Sequence, residues 1–273
     1  MSQPSPYRNV AVASTFSPRF KQVLAEAKRV RDQFDARLHV IYVGEKTAET
    51  TKKFGDAFKQ LHLPDDSPIH YREGVPADAI LQATGENSVD LIVAGALEKE
   101  VVLRPFLGGV ARRLVRDATS SVLLFTKPEH HPKPIKRMVF VADYSDHSRN
   151  ALRSTFHLAA AESCERLYVV RVYTTFDRAR AKLKDGAGNG PARARTFEEE
   201  ESALEEFILS AGQTEVPIEA RCLRGNTGFA ASDFVQSIEA DLLAVSAHAS
   251  AKGLPDHVAW VTDVIPCNLW VIR

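Results

Sequence analysis

Arg37-Leu-His-Val-Ile-Tyr-Val43 and Arg166-Leu-Tyr-Val-Val-Arg-Val172 share an arginine, a leucine and two valines in register. Two such runs in one chain point to an internal repeat, and the residues on either side extend it. Before the first run, Asn9-Val-Ala-Val-Ala-Ser-Thr-Phe-Ser-Pro18 reads as a short apolar strand over Val10 to Ala13 running into a helix start. Ser17 is there as the N-cap and Pro18 as the first helical residue. Before the second run, Arg137-Met-Val-Phe-Val-Ala-Asp-Tyr-Ser-Asp-His-Ser148 follows the same plan, with a strand over Met138 to Ala142 and Ser145 as the cap. After each run the parallel continues. Asp90-Leu-Ile-Val-Ala-Gly-Ala96 matches Asp241-Leu-Leu-Ala-Val-Ser-Ala247, and Val122-Leu-Leu-Phe125 matches Leu269-Trp-Val-Ile272.

Four matches in the same order make two copies of one unit. Each copy reads β-α-β-α-β-α-β-α-β, with a weaker third strand near 69–71 in the first copy and 218–222 in the second. Near-continuous apolar strands separated by helical stretches are the pattern of a parallel sheet covered on both faces. Right-handed crossovers then give two tandem doubly wound five-stranded sheets, each ordered 3-2-1-4-5. The domains run over 1–127 and 137–273. Between them lies Lys127-Pro-Glu-His-His-Pro-Lys-Pro-Ile-Lys136, a short, stiff, proline-rich connection.

The copies differ in two places. The second carries extra sequence after its second strand, basic and glycine-broken over residues 176–196, where mobility is expected. An acidic helix over 198–210 follows, with Phe197, Leu204, Phe207 and Ile208 at helical spacing. The second copy also loses roughly one helical turn before its last strand. Those last strands, Val122–Phe125 and Leu269–Ile272, are apolar sheet edges that invite pairing, so they are expected to join the copies as an intramolecular pseudo-dimer.

Composition narrows the function. The 273 residues carry 35 basic and 35 acidic side chains, so no electrostatic footprint for nucleic acid or a membrane surface dominates. No apolar run reaches the ~18 residues of a membrane span, and the first residues lack a signal-peptide pattern. Cys164, Cys222 and Cys267 form no ligand pattern and read as buried or half-buried free thiols of a reducing, cytoplasmic setting. No catalytic triad, Cys-His pair or carboxylate pair stands out, so the chain reads as a non-enzyme, with a slow ATPase left open.

From Gly74-Val-Pro76 through 90–96 to Leu107-Gly-Gly-Val-Ala-Arg-Arg-Leu-Val-Arg-Asp-Ala-Thr-Ser-Ser-Val-Leu-Leu-Phe125, the sequence resembles the second half of a universal stress protein domain. The repeat makes the whole chain similar to the tandem members of that family. The resemblance implies a Rossmann-like, adenine-nucleotide alpha-hydrolase-like fold and a stress-response role by binding or adaptation. ATP-binding members carry Gly-x2-Gly-x9-Gly-(Ser/Thr) after the fourth strand, where glycines admit backbone to phosphate at a helix N-terminus. The first copy keeps that spacing at Gly95, Glu98, Gly108 and Gly109, with the second glycine and the hydroxyl replaced. The second copy has Ser246, Ala249, Ala259 and Trp260. An Asp near the ribose is kept as Asp143 in the second copy and replaced by Thr15 in the first; the adenine-facing strand ends map to Val43 and Val172.

The implied site is therefore a degenerate one in the first copy. No cofactor is required, and ATP or AMP is the ligand the resemblance allows. The alternative is a regulatory ATP/AMP-binding sensor. A small ligand or a protein partner is expected, and neither nucleic acid nor a membrane. Lys99, Arg104, Arg112 and Arg113 cluster around the same stretch, either as an anion site or as a solvated helix face.

Overall fold

The computed structural model describes residues 5–96, 107–173, 195–248, 253–255, 258–263 and 265–273. Glu98, Lys99, Arg104, Ala249 and all but the last two residues of the 176–196 segment lie outside them. In the first half β1 (Asn9–Ser14), α1 (Phe20–Phe34), β2 (Arg37–Val43), α2 (Ala48–Leu61) and β3 (Ile69–Arg72) alternate. They are followed by α3 (Pro76–Glu86), β4 (Leu91–Gly95), α4 (Gly109–Asp117) and β5 (Ser121–Phe125). The second half runs β6 (Arg137–Val141), α5 (Asp146–Ala161), β7 (Arg166–Tyr173), α6 (Phe197–Ala211) and β8 (Ile218–Arg224), then α7 (Thr227–Ser237), β9 (Leu242–Ser246) and β10 (Asn268–Ile272).

The ten strands form one sheet in the order β3-β2-β1-β4-β5-β10-β9-β6-β7-β8. Within each half every pairing is parallel and the order is the doubly wound 3-2-1-4-5. The halves meet at β5 and β10, which pair antiparallel with Trp270 opposite Leu123 and Val271 opposite Val122. Period-2 alternation along each strand sends side chains to two separate cores. Val10, Val12 and Leu38 face α1 and α2, in a core that continues through Trp270 to Phe140 and α5. Ala11, Ile41 and Ile92 face α3 and α4, in a core that continues through Val271 to Val139 and α7. Each core therefore crosses from one half to the other.

Helix starts follow local chemistry. Ser145 caps α5, its hydroxyl accepting from the Ser148 amide at 3.0 Å. Thr196 and Glu199 form a reciprocal capping box at the start of α6. Two expectations are corrected. Ser17 is not the cap of α1: Ser17 and Pro18 form a turn whose carbonyl at Ser17 accepts from the Phe20 amide at 3.0 Å, and Arg19 takes the cap position. The fourth crossover of the second half holds, among the described residues, no helix longer than the single 3₁₀ turn Ala259–Thr262. Gly253, Pro255 and the β-branched Val258, Val261 and Thr262 disfavour a longer helix there. Among the described residues no helix is long and apolar enough to cross a membrane.

Candidate functional site

Parallel strands end together at their carboxyl edge, and where neighbouring crossovers leave to opposite faces a crevice opens between them. In the first half β1 sends α1 to one face while β4 sends α4 to the other, and a cleft of about 480 Å³ lies at the carboxyl ends of these strands. Four of the sequence-selected residues line it: Thr15 just after β1, Val43 at the end of β2, Gly95 at the end of β4, and Gly108. Gly108 is the N-cap of α4 and Gly109 its first residue, so the opening turn of that helix borders the cleft. A Cβ on Gly95 would touch Val23 at an ordinary 3.4 Å, and one on Gly109 would meet nothing within 4 Å among the described residues. Neither glycine is demanded by packing.

The rest of the lining is mainly apolar. Val23, Leu114 and Phe125 are buried against it, and Ile80 and Pro76 close it from α3. Ser14, Thr15, Ser17 and Arg19 are the polar side chains among its described lining residues, and Arg19 is the charged one. One guanidinium nitrogen of Arg19 donates to the Thr126 carbonyl at 3.4 Å. Sequence reasoning missed Arg19. The signal was its place in the first strand-to-helix loop, where doubly wound sheets bring residues to the crevice. Arg113, considered for anions, instead ties α4 to α3 by donating to Asp78 at 3.1 Å and pairs with Asp117 at 3.6 Å.

The matching place in the second half is built differently. Asp143 closes a turn: its Oδ1 accepts from the Ser145 amide at 2.9 Å and the Ser145 hydroxyl at 2.6 Å. Tyr144, beside it, has a left-handed φ of 65° and donates its hydroxyl proton to the Glu200 carbonyl at 3.3 Å. Arg171 from β7 lies 4.8 Å from the Tyr144 ring centroid and pairs with Glu200 of α6 at 3.1 Å. Burial and the Glu200 carboxylate push the Tyr144 phenol well up. Val172, the next residue of β7, is buried in the core on the other face of the sheet. Thus Asp143, after β6, and Val172, in β7, both belong to the second half and are not among the residues that line the cleft of the first. Trp260 packs on the first turn of α7 so closely that a Cβ on Gly228 would come 3.0 Å from it. His147 of α5 and His248, after β9, stack with ring centroids 4.5 Å apart, a pairing that nothing in their spacing announced.

The thiols are as read from the sequence. Cys164 and Cys267 are buried and Cys222 half-buried, all three free. Burial pushes Cys222 up to about 11 and Cys267 up to about 12, so neither thiolate is populated near neutrality.

A sequence model of the universal stress protein family matches residues 52–126 and 134–273. Universal stress protein MJ0531 of Methanocaldococcus jannaschii is 28% identical over 143 residues, 45% of this chain and 84% of that protein. Among solved structures, a putative universal stress protein from Pseudomonas aeruginosa superposes with a TM-score of 0.72 at 13% identity, covering 98% of this chain and 94% of the other. A universal stress protein from Archaeoglobus fulgidus gives 0.61 at 13% identity over 97% and 96%. At that identity the structures speak for the fold, while the sequence match spans both halves of the repeat: the chain belongs to the universal stress protein family.

Proposed function

We propose that this is a non-catalytic cytoplasmic stress-response protein that acts by binding, with a degenerate adenine-nucleotide site in its first half. The observation that carries this reading is the cleft lined together by Thr15, Val43, Gly95 and Gly108 at the carboxyl ends of parallel strands. Its described polar groups are three hydroxyls and one guanidinium. Hydrolysis needs a base beside its nucleophile, and neither a hydroxyl nor a guanidinium is a base near neutral pH. Binding is the chemistry this lining suits. The degeneracy rests on Glu98 and Gly109. A carboxylate near a triphosphate repels it, by roughly 4 kcal/mol for unit charges ~4 Å apart near a surface before solvent relaxes. A missing hydroxyl removes a hydrogen bond worth on the order of 1 kcal/mol.

The test is calorimetry with ATP and AMP, with and without magnesium, on the wild type and on Glu98→Gly/Gly109→Ser. Among the described residues nothing lies within 4 Å of a Cβ on Gly109, which leaves room for the serine. Weak wild-type binding and a gain of roughly tenfold or more, about 1.4 kcal/mol, are expected for the double variant. Tight wild-type binding, or no gain on restoration, overturns the degenerate-site reading.

A further inference from the structure

We propose that the outer edge of β8 is a self-association surface, pairing antiparallel with β8 of a second copy of this chain. β3 and β8 are the two ends of the ten-stranded sheet, and they end it differently. The Val40 amide donates to the Pro68 carbonyl and the Gly44 amide to the Arg72 carbonyl. In the four-residue β3, then, Ile69 and Tyr71 are the residues whose backbone groups point away from β2. At the other end the Leu167 amide donates to the Pro217 carbonyl and the Gly225 amide to the Tyr173 carbonyl, so the odd-numbered residues of β8 bond to β7. Ile218, Ala220, Cys222 and Arg224 turn their amides and carbonyls outward, and nothing among the described residues pairs with them. Seven residues with no proline inside the strand make this the longer and barer edge, the kind that templates another strand.

An open edge accepts many extended chains; the side chains of β8 select its own copy. Glu219 and Arg221 share one face of the sheet by the period of two. They touch each other, and Glu219 also accepts from Arg166 at 3.1 Å. When the outward residues form the hydrogen-bonded pairs of an antiparallel ladder, the residues between them stand opposite one another where side chains come closest. A two-fold axis at Ala220 sets Ala220 against Ala220, Ile218 against Cys222, and Glu219 against Arg221 on both sides of the axis. Moving the axis by one residue sets Glu219 against Glu219 or Arg221 against Arg221, and like charges directly opposite are destabilising. On the other face, Ile218, Ala220 and Cys222 pack on the core, so the pairs they form are apolar. A contact that presents the same patch from both copies closes as a dimer, and two ten-stranded sheets become one.

The experiment is sedimentation velocity on the full chain over a range of concentrations, where a dimer of the 30.2 kDa chain is expected. Ala220→Pro removes an outward amide and none that bonds β7, so a monomer with an unchanged circular dichroism spectrum is expected. Arg221→Glu turns both opposite-charge pairs into like-charge pairs and is expected to weaken the dimer about tenfold or more. Ile218→Cys puts a thiol opposite Cys222 of the second copy, in a pair whose Cα separation of about 5.5 Å suits a disulfide. Within one chain the two positions are roughly 13 Å apart along the strand. Oxidation is expected to crosslink Ile218→Cys and to leave the wild type and Ile218→Cys/Cys222→Ser uncrosslinked. If the proline variant unfolds, the charge variant and the crosslink decide. A chain monomeric at every concentration, its edge then open to some other strand, overturns the proposal. So does a dimer indifferent to both Ala220→Pro and Arg221→Glu. A wild-type disulfide between the two copies of Cys222, or no crosslink in Ile218→Cys, overturns the register.

Discussion

At the scale of single residues, Gly44 illustrates how the mouth of the cleft is held. It follows Val43 with φ +155°, and a Cβ there would lie 2.7 Å from the Tyr42 ring. That ring cannot swing aside freely, because it packs on Phe16 at 4.9 Å, Phe54 at 5.5 Å and Tyr71 at 5.9 Å between centroids. Phe16 in turn lies between Thr15 and Ser17, so the same aromatic cluster anchors the loop that lines the cleft. Gly44→Ala therefore meets both an unfavourable φ and a clash, and urea unfolding should show a loss of about 1–3 kcal/mol. A loss below about 0.5 kcal/mol would mean that the ring yields. Fourteen glycines stand in the sequence, and nothing local singles out this one; the positive φ combined with the close approach of the Tyr42 ring does.

At the scale of elements, β2 and β3 are joined by more than their ladder. His39 and His70 stack at 5.3 Å, with Nδ1 of His39 3.1 Å from Nε2 of His70, and the other ring nitrogen of His39 is buried without a partner. Burial first, then the neighbouring ring and Arg37, hold the His39 pKa below its ordinary 6.5. Burial and Arg72 do the same for His70, against the opposing pull of Glu86. A depressed imidazole means that the unfolded chain binds protons more readily than the fold. Stability is then full above about pH 6.5 and falls as pH drops from there through the folded values. Melting temperatures between pH 7.5 and 5 should decline for the wild type and decline less for His70→Gln; parallel curves would exclude the pair as the cause. Elements whose signals are local were legible beforehand. The apolar spacing of Leu204, Phe207 and Ile208 marks α6, all three being buried, whereas Phe197 is 44% exposed and contributes its place in the first turn rather than a core contact.

At the scale of the molecule, the two halves share an ionic joint as well as a sheet. Arg29 of α1 pairs with Glu26 at 3.1 Å and with Glu162 at the end of α5, the three side chains being 14%, 6% and 1% exposed. The carboxylates also hold the linker: Glu26 accepts from the Glu129 amide at 3.4 Å and Glu162 from the Ile135 amide at 3.1 Å. Burial raises both carboxyl pKa values, with Arg29 opposing it. Arg29→Met would leave two buried carboxylates without their cation. It should cost about 3–5 kcal/mol at pH 8, the pH of the two that favours their ionised forms more. The penalty should shrink towards pH 5, as protonation in the folded state neutralises them. Denaturant midpoints of the variant and wild type at the two pH values decide it, and a penalty independent of pH would remove the charge argument.

The repeat, the doubly wound order of each half and the strand positions followed from the sequence alone, because parallel strands buried on both faces must be apolar throughout and crossovers take one hand. The spacing Gly95-x2-Glu98-x9-Gly108 was legible for the same reason: it is a local pattern, carried by neighbours in the chain. Long-range geometry decided the rest. That the last strands of the two halves meet was legible as a pair of apolar edges, but their antiparallel register, with Trp270 set against Leu123, depends on the shapes of two cores that form only when the whole sheet closes. That Arg19 lines the cleft depends on where the turn at Ser17 and Pro18 delays α1. Tyr144 meets Arg171 and Glu200 only because α6 folds back over the end of β6. Such contacts join residues tens of positions apart, and the free energy that selects them is tertiary packing, which no window of sequence contains.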